Sequence, residues 1–125
     1  FGVNLAVVAF CRCICLTNQN SGILAIPATA STSITGKIRR CLESIHASAH
    51  VAGLKSFLYL LRANLHQITI PLLPYIFNYA LQVLKETSTS NGVHNVPEVQ
   101  YHVITVIFAA LERHTKEAEQ QNYAR

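Results

Sequence analysis

The chain has 125 residues, 50% of them apolar, with ten Lys and Arg set against six Glu and no Asp. Its 13% of charged residues is about half the share of an average soluble domain, a composition that favours collapse and excludes an intrinsically disordered tail. At 13.8 kDa about two-thirds of the unfolded surface is buried on folding, enough for one core and too little for two, and a net charge of +4 is spread too thinly for a nucleic-acid module, so no nucleic-acid partner is expected.

Phe1 to Leu16 is apolar with Arg12 inside it. It has no basic leader and falls short of the roughly 20 residues that span a bilayer, so a core helix is expected and no transmembrane segment. Asn18-Gln19-Asn20-Ser21-Gly22 stops it. A chain that opens on Phe1-Gly2-Val3 is expected to be a piece of something longer. Cys11, Cys13 and Cys15 lie too close along the chain to bridge one another readily. With Cys41 they read as free, mostly buried thiols in a reducing cytosol. Ile23 to Ile34, around Pro27, is compatible with a short helix or a loop.

From residue 37 the pattern sharpens. Ile38, Cys41, Leu42 and Ile45 fall on one helical face, predicting a helix over 37–48 that starts after Thr35-Gly36. Val51, Leu54, Phe57, Leu58 and Leu61 predict a second over 50–64. The brief break at Ser48-Ala49 makes the two antiparallel neighbours. A third helix is expected over 71–86, opened by Pro71 in its first turn. Its apolar residues cover most of the circumference, so packing on more than one side is expected. Thr87 to Gly92 reads as a polar loop. Pro97-Glu98 then opens a fourth helix over 97–119, with a nearly all-round apolar middle and a polar tail. The β-branched run Val103 to Ile107 lacks strand alternation, and its flanks continue the helical period.

The expected fold is therefore all-α. Residues 1–36 belong to a preceding repeat, 37–64 form one helical hairpin, and 65–125 form a second with a long internal loop at 87–96. Two hairpins of this size in succession match HEAT or armadillo units, whose helix pairs bury their apolar faces by stacking on the next pair. A HEAT-like α-solenoid of antiparallel hairpins follows. Leu73-Pro74 and Pro97-Glu98-Val99 resemble common HEAT positions, whereas the loop is longer than the usual tight turn.

Arg40-Cys41-Leu42-Glu43-Ser44, Ala52-Gly53-Leu54, Phe57-Leu58-Tyr59-Leu60-Leu61 and Ile70-Pro71-Leu72-Leu73-Pro74-Tyr75-Ile76 follow one another in an order and spacing that resembles the C-terminal HEAT region of the huntingtin family. His94 and His102-Val103 continue the likeness, which covers about residues 37–115 and suits a divergent, invertebrate-like member. The resemblance implies a very large non-enzymatic scaffold of cytoplasm, nucleus and vesicle transport. It also implies protein partners: the rest of the scaffold's own chain, and the forty-kilodalton huntingtin-associated protein. A transport receptor or a kinase-associated solenoid is the alternative of the same architecture.

No constellation carries chemistry. His46 and His50 have the spacing of two zinc ligands, but residue 47 is Ala, where a zinc protease needs Glu, and a helix break separates them. A metal-binding bundle or enzyme would have to use His46, His50 and His102. Cys11, Cys13 and Cys15 lack a second ligand pair at finger spacing. No nucleophile elbow, phosphate loop or dinucleotide fingerprint occurs, so no catalytic residue, cofactor or metal is expected. Lys37, Arg39, Arg40 and Lys55 form the sole basic concentration, a candidate contact for a partner or an anionic surface. The low charge fits helices covered by neighbouring repeats and predicts that the chain alone aggregates.

Overall fold

The computed structural model describes residues 8–9, 11–13, 28–63, 65–86 and 96–123. Four helices have their bounds among the described residues: α1 (Ala28–Leu42), α2 (Ala47–Arg62), α3 (His66–Glu86) and α4 (Pro97–Tyr123). Residues 8–9 and 11–13 are helical as well, and the described residues contain no strand. The rest of the apolar segment 1–16, residues 17–27 and the loop at 87–95 lie outside the described residues.

Helix α1 begins directly after Pro27 rather than after Thr35-Gly36, so the ambiguous stretch up to Ile34 is helical from Ala28. Within it the Thr35 hydroxyl donates to the Ser31 carbonyl one turn earlier, at 2.9 Å. The break after α1 falls at residues 43–46 and not at Ser48-Ala49. The cause is local, because the Ser44 hydroxyl accepts the His46 N–H at 3.1 Å and folds a turn that takes the chain out of the helix. Ile45, expected on the inward face, sits on this turn and is 81% exposed.

Helix α3 starts at His66, five residues before Pro71, and encloses both Pro71 and Pro74. Each proline removes one helical hydrogen bond, leaving the carbonyls of Gln67 and Ile70 without an N–H four residues on. Gln67, Ile70, Pro71 and Pro74 are all exposed, so both prolines lie on the solvent side of the helix. Buried Leu65, Ile68 and Thr69 supply the packing that extends the helix upstream. Pro97 opens α4 as expected, and the helix continues to Tyr123.

Helix α2 is the centre of the structure, packing most extensively against α1 and α4 and also against α3. Its Ala49, Val51, Ala52, Leu54, Phe57, Leu60 and Leu61 are buried. Small residues let α1 approach closely: a Cβ on Gly53 would lie 2.9 Å from the Cβ of Cys41. Helices α1 and α3 are both antiparallel to α2, as their short connections require and as His50 meeting Tyr79 across α2 and α3 reflects. Helix α4 instead runs parallel to α2. Lys55 acts on His102, and further along both helices Arg113 donates to the Leu61 carbonyl at 2.9 Å. Two hairpins, α1–α2 and α3–α4, thus lie side by side, with α1 beside α3 and α2 beside α4.

Candidate functional site: an uncovered face on the second hairpin

The core face of α3 is formed by Ile68, Leu72, Ile76, Tyr79, Ala80 and Val83, and that of α4 by Val99, Val103 and Val106. Each helix carries a second apolar stripe well round from its core face. On α3 it comprises Ile70, Phe77, Leu81 and Leu84, and on α4 Tyr101, Ile104, Phe108 and Leu111. Phe108, Tyr101 and Leu81 are 67%, 66% and 63% exposed, an accumulation of large apolar side chains beyond what scattered surface residues provide. Helix α3 packs against α1, α2 and α4, but its exposed stripe, like that of α4, is left open among the described residues.

Of the four basic candidates, three lie within about one turn of α1 and Lys55 lies on α2. Lys37, Arg39 and Arg40 are exposed on α1, near its C-terminal end, where cations complement the helix dipole. The Arg39 guanidinium stacks on the Tyr75 ring of α3, 5.1 Å from its centroid. Tyr75 donates its hydroxyl to Glu43 at 3.0 Å. Burial pushes that phenol up to about 12, with the Glu43 hydrogen bond and charge adding to the effect and Arg39 opposing it. Lys55 lies on α2 towards α4. There burial, reinforced by the Lys55 charge and opposed by Glu98, holds His102 below the ordinary histidine value. Arg39 is therefore committed to the α1–α3 side of the structure, and Lys55 bears on the α2–α4 side.

The histidines are equally dispersed. His46 is exposed and occupies the N-cap position of α2 without a side-chain cap bond. His50 is buried, with Nε2 2.6 Å from the Ser44 carbonyl and Nδ1 2.6 Å from the Tyr79 hydroxyl. A carbonyl only accepts, so Nε2 carries the proton and, in the neutral ring, Nδ1 accepts from Tyr79. Both nitrogens therefore serve to tie the turn at Ser44 to α3. His102 sits on α4, and among the described residues no group of three His, Cys, Asp or Glu side chains has the placement of a metal site. Burial pushes the Cys11 thiol up to about 11 against a small opposing effect of its hydrogen bond with Ser56, and burial raises Cys41 as well. Cys11 therefore stays protonated at neutral pH, which makes it a packing group and a poor nucleophile.

Tyr75, Tyr79 and Arg113 escaped sequence reasoning because their partners are remote along the chain. Arg113 bonds both the Leu61 carbonyl and, at 2.8 Å, Nε2 of His66, fixing α4 to the α2–α3 junction. The apolar stripe did leave a signal, the all-round apolar character of 72–84 and 99–111, but only the packing separates core from uncovered face. No helix among the described residues is long and apolar enough to cross a membrane. No protein-family model matches this chain, and it matches no curated protein or solved structure.

Proposed function

We propose that this chain is a non-enzymatic scaffold segment of a HEAT-like α-solenoid resembling the huntingtin family, acting in the cytoplasm with access to the nucleus. It works by presenting helix faces for shape-complementary contact. The observation that carries this reading is the side-by-side order of two hairpins with like helices parallel, α1 with α3 and α2 with α4. Repetition of that step would set further helices on the face of α3 and α4 turned away from α1 and α2. Two apolar stripes lie on α3 and α4 away from their core faces. Helix α2, with neighbours on several sides, is buried nearly all round, whereas α4 is buried on one side only. The rest of a long scaffold chain and the forty-kilodalton huntingtin-associated protein are the partners that the sequence resemblance suggests.

A capping hairpin with a polar outer face, fused after Arg125, tests the reading. In a solenoid such a cap covers the last exposed face and confers solubility. The fusion should raise the unfolding midpoint, lower binding of a hydrophobic dye and keep a helical circular dichroism spectrum. A β-rich spectrum, or a fusion no more stable than the chain alone, refutes it.

A further inference from the structure

We propose that the joint between the two hairpins is acid-labile: three histidines are placed along it in settings that suit only the uncharged ring, and their protonation releases α3 and α4 from α1 and α2. His50 of α2 is buried, with Nε2 donating to the Ser44 carbonyl and Nδ1 accepting from the Tyr79 hydroxyl of α3, both at 2.6 Å. A charged ring donates from both nitrogens. Tyr79 would then lose its acceptor, and a charge would sit buried against uncharged partners, which is costly. At the other end of α2, Arg113 of α4 donates to the Leu61 carbonyl and, at 2.8 Å, to Nε2 of His66. A guanidinium has no acceptor, so protonated His66 breaks that bond and sets a second cation beside the residue that ties the hairpins together. His102 is the third, half-buried on α4, where burial and the Lys55 charge of α2 oppose a proton.

Steps of four and seven residues put His102, Val106 and Arg113 on one face of α4, so two of the three settings bracket the α2–α4 seam while His50 holds the α2–α3 side. The neighbouring charges do not reverse the effect. Near His50 the first hairpin offers Arg39 and Glu43, both engaged with Tyr75, and His46, which is exposed one turn before it. From α3 come Tyr75, Tyr79 and the exposed Lys85. Arg62, in the last turn of α2, adds a cation towards the His66 end, and Glu117, one turn beyond Arg113 on α4, cannot restore a bond between two donors. Glu98 opposes Lys55 at His102 as the smallest of the three influences there. The α1–α2 contact is of another kind. It brings Gly53 against Cys41, Leu42 and Ile38, and burial raises the Cys41 thiol, so acidification leaves that pair uncharged and the opening follows the seam between hairpins.

Pulse labelling of the full chain with a dithiodipyridine, which reacts with thiols at acid pH, tests the inference. Val106→Cys places a thiol at a core position of α4 that is 2% exposed, and the buried Cys11 and Cys41 serve as references on the side of the first hairpin. From about pH 7.5 to about pH 5, a range spanning the ordinary histidine value of about 6.5, labelling at Val106→Cys should rise at least about tenfold, relative to the same thiol in urea. Cys11 and Cys41 should stay protected, and the circular dichroism spectrum should stay helical. Combining His50→Gln, His66→Gln and His102→Gln should abolish the rise, since glutamine keeps an amide donor and acceptor but takes up no proton. Should the buried His50→Gln prevent folding, His66→Gln with His102→Gln, at exposed and half-buried positions, should already lower the rise. No rise at Val106→Cys, labelling of Cys11 and Cys41 in step with it, or an unchanged rise in the glutamine variants overturns the proposal.

Discussion

Two glycines should respond to the same substitution with opposite signs. Gly36 and Gly53 both lie inside helices, α1 and α2 respectively. Replacing an interior helical glycine by alanine gains about 1 kcal/mol of backbone propensity. At Gly36 the new Cβ meets nothing within 4 Å, so Gly36→Ala should stabilise by about that amount. At Gly53 it would lie 2.9 Å from the Cβ of Cys41, 3.2 Å from Cδ2 of Leu42 and 3.4 Å from the Ile38 carbonyl oxygen. The Leu42 methyl can turn aside, but the Cys41 Cβ moves only with the α1 backbone. Relaxing that contact towards the ordinary 3.5–4.0 Å separation displaces α1 by more than half an ångström from α2. Overpacking of this kind costs about 1–3 kcal/mol, which outweighs the propensity gain, and Gly53→Ala should destabilise by about 1 kcal/mol net. Urea unfolding followed by helical circular dichroism reads both changes, as midpoint shifts of roughly 0.5 M in opposite directions for a slope near 2 kcal/mol per molar. If Gly53→Ala stabilises as much as Gly36→Ala, α1 and α2 are not in the close contact on which the fold rests.

Tyr79→Phe withdraws the hydroxyl that serves the buried His50 Nδ1 and should cost about 1–3 kcal/mol, whereas Tyr75→Phe, whose bond to Glu43 is exposed, should cost well under 1 kcal/mol in the same urea assay. His102 is held below the ordinary histidine value, so the unfolded chain takes up the proton first as the pH falls. Stability should therefore decline on acidification from about pH 6.5 and level off once the folded histidine is also charged, and His102→Gln should flatten that slope in pH-dependent unfolding curves. The Cys11 thiol, pushed up from 9 to about 11, has the reverse dependence: its contribution is complete below pH 9 and is lost as the pH rises towards 11, a change on the order of 2–3 kcal/mol that Cys11→Ala should abolish. At neutral pH iodoacetamide should react with the exposed Cys13 well before Cys11, as mass spectrometry of the alkylated chain would record.

Local chemistry was legible in the chain wherever it acts within a few residues. The helical period of 51–61 and 99–107, the Pro-Glu opening of α4 and the exclusion of strands follow from side-chain spacing alone, since a helix face is set by 3.6-residue geometry. Boundaries failed where competing local signals needed packing to arbitrate. Pro71 marks a helix start in isolation, yet buried Ile68 and Thr69 carry α3 upstream of it and exposure makes the lost hydrogen bonds tolerable. The Ser44 turn displaced the break expected at Ser48 because one hydroxyl found the His46 N–H.

Charge and hydropathy by themselves determined an all-helical chain with too little polar surface for its length. Which apolar residues go uncovered is a different kind of fact. Phe57 and Phe108 sit in similar helical patterns, yet one is fully buried and the other 67% exposed. The difference is the number of neighbours, because α2 is enclosed by three helices whereas the described contacts of α4 lie on one side. Likewise the chain sets Lys37, Arg39, Arg40 and Lys55 near one another, but only folding places Arg39 against Tyr75 and Lys55 near His102. Burial depends on what surrounds a residue in three dimensions, so only the tertiary arrangement distinguished the core of this protein from the apolar face left open among the described residues.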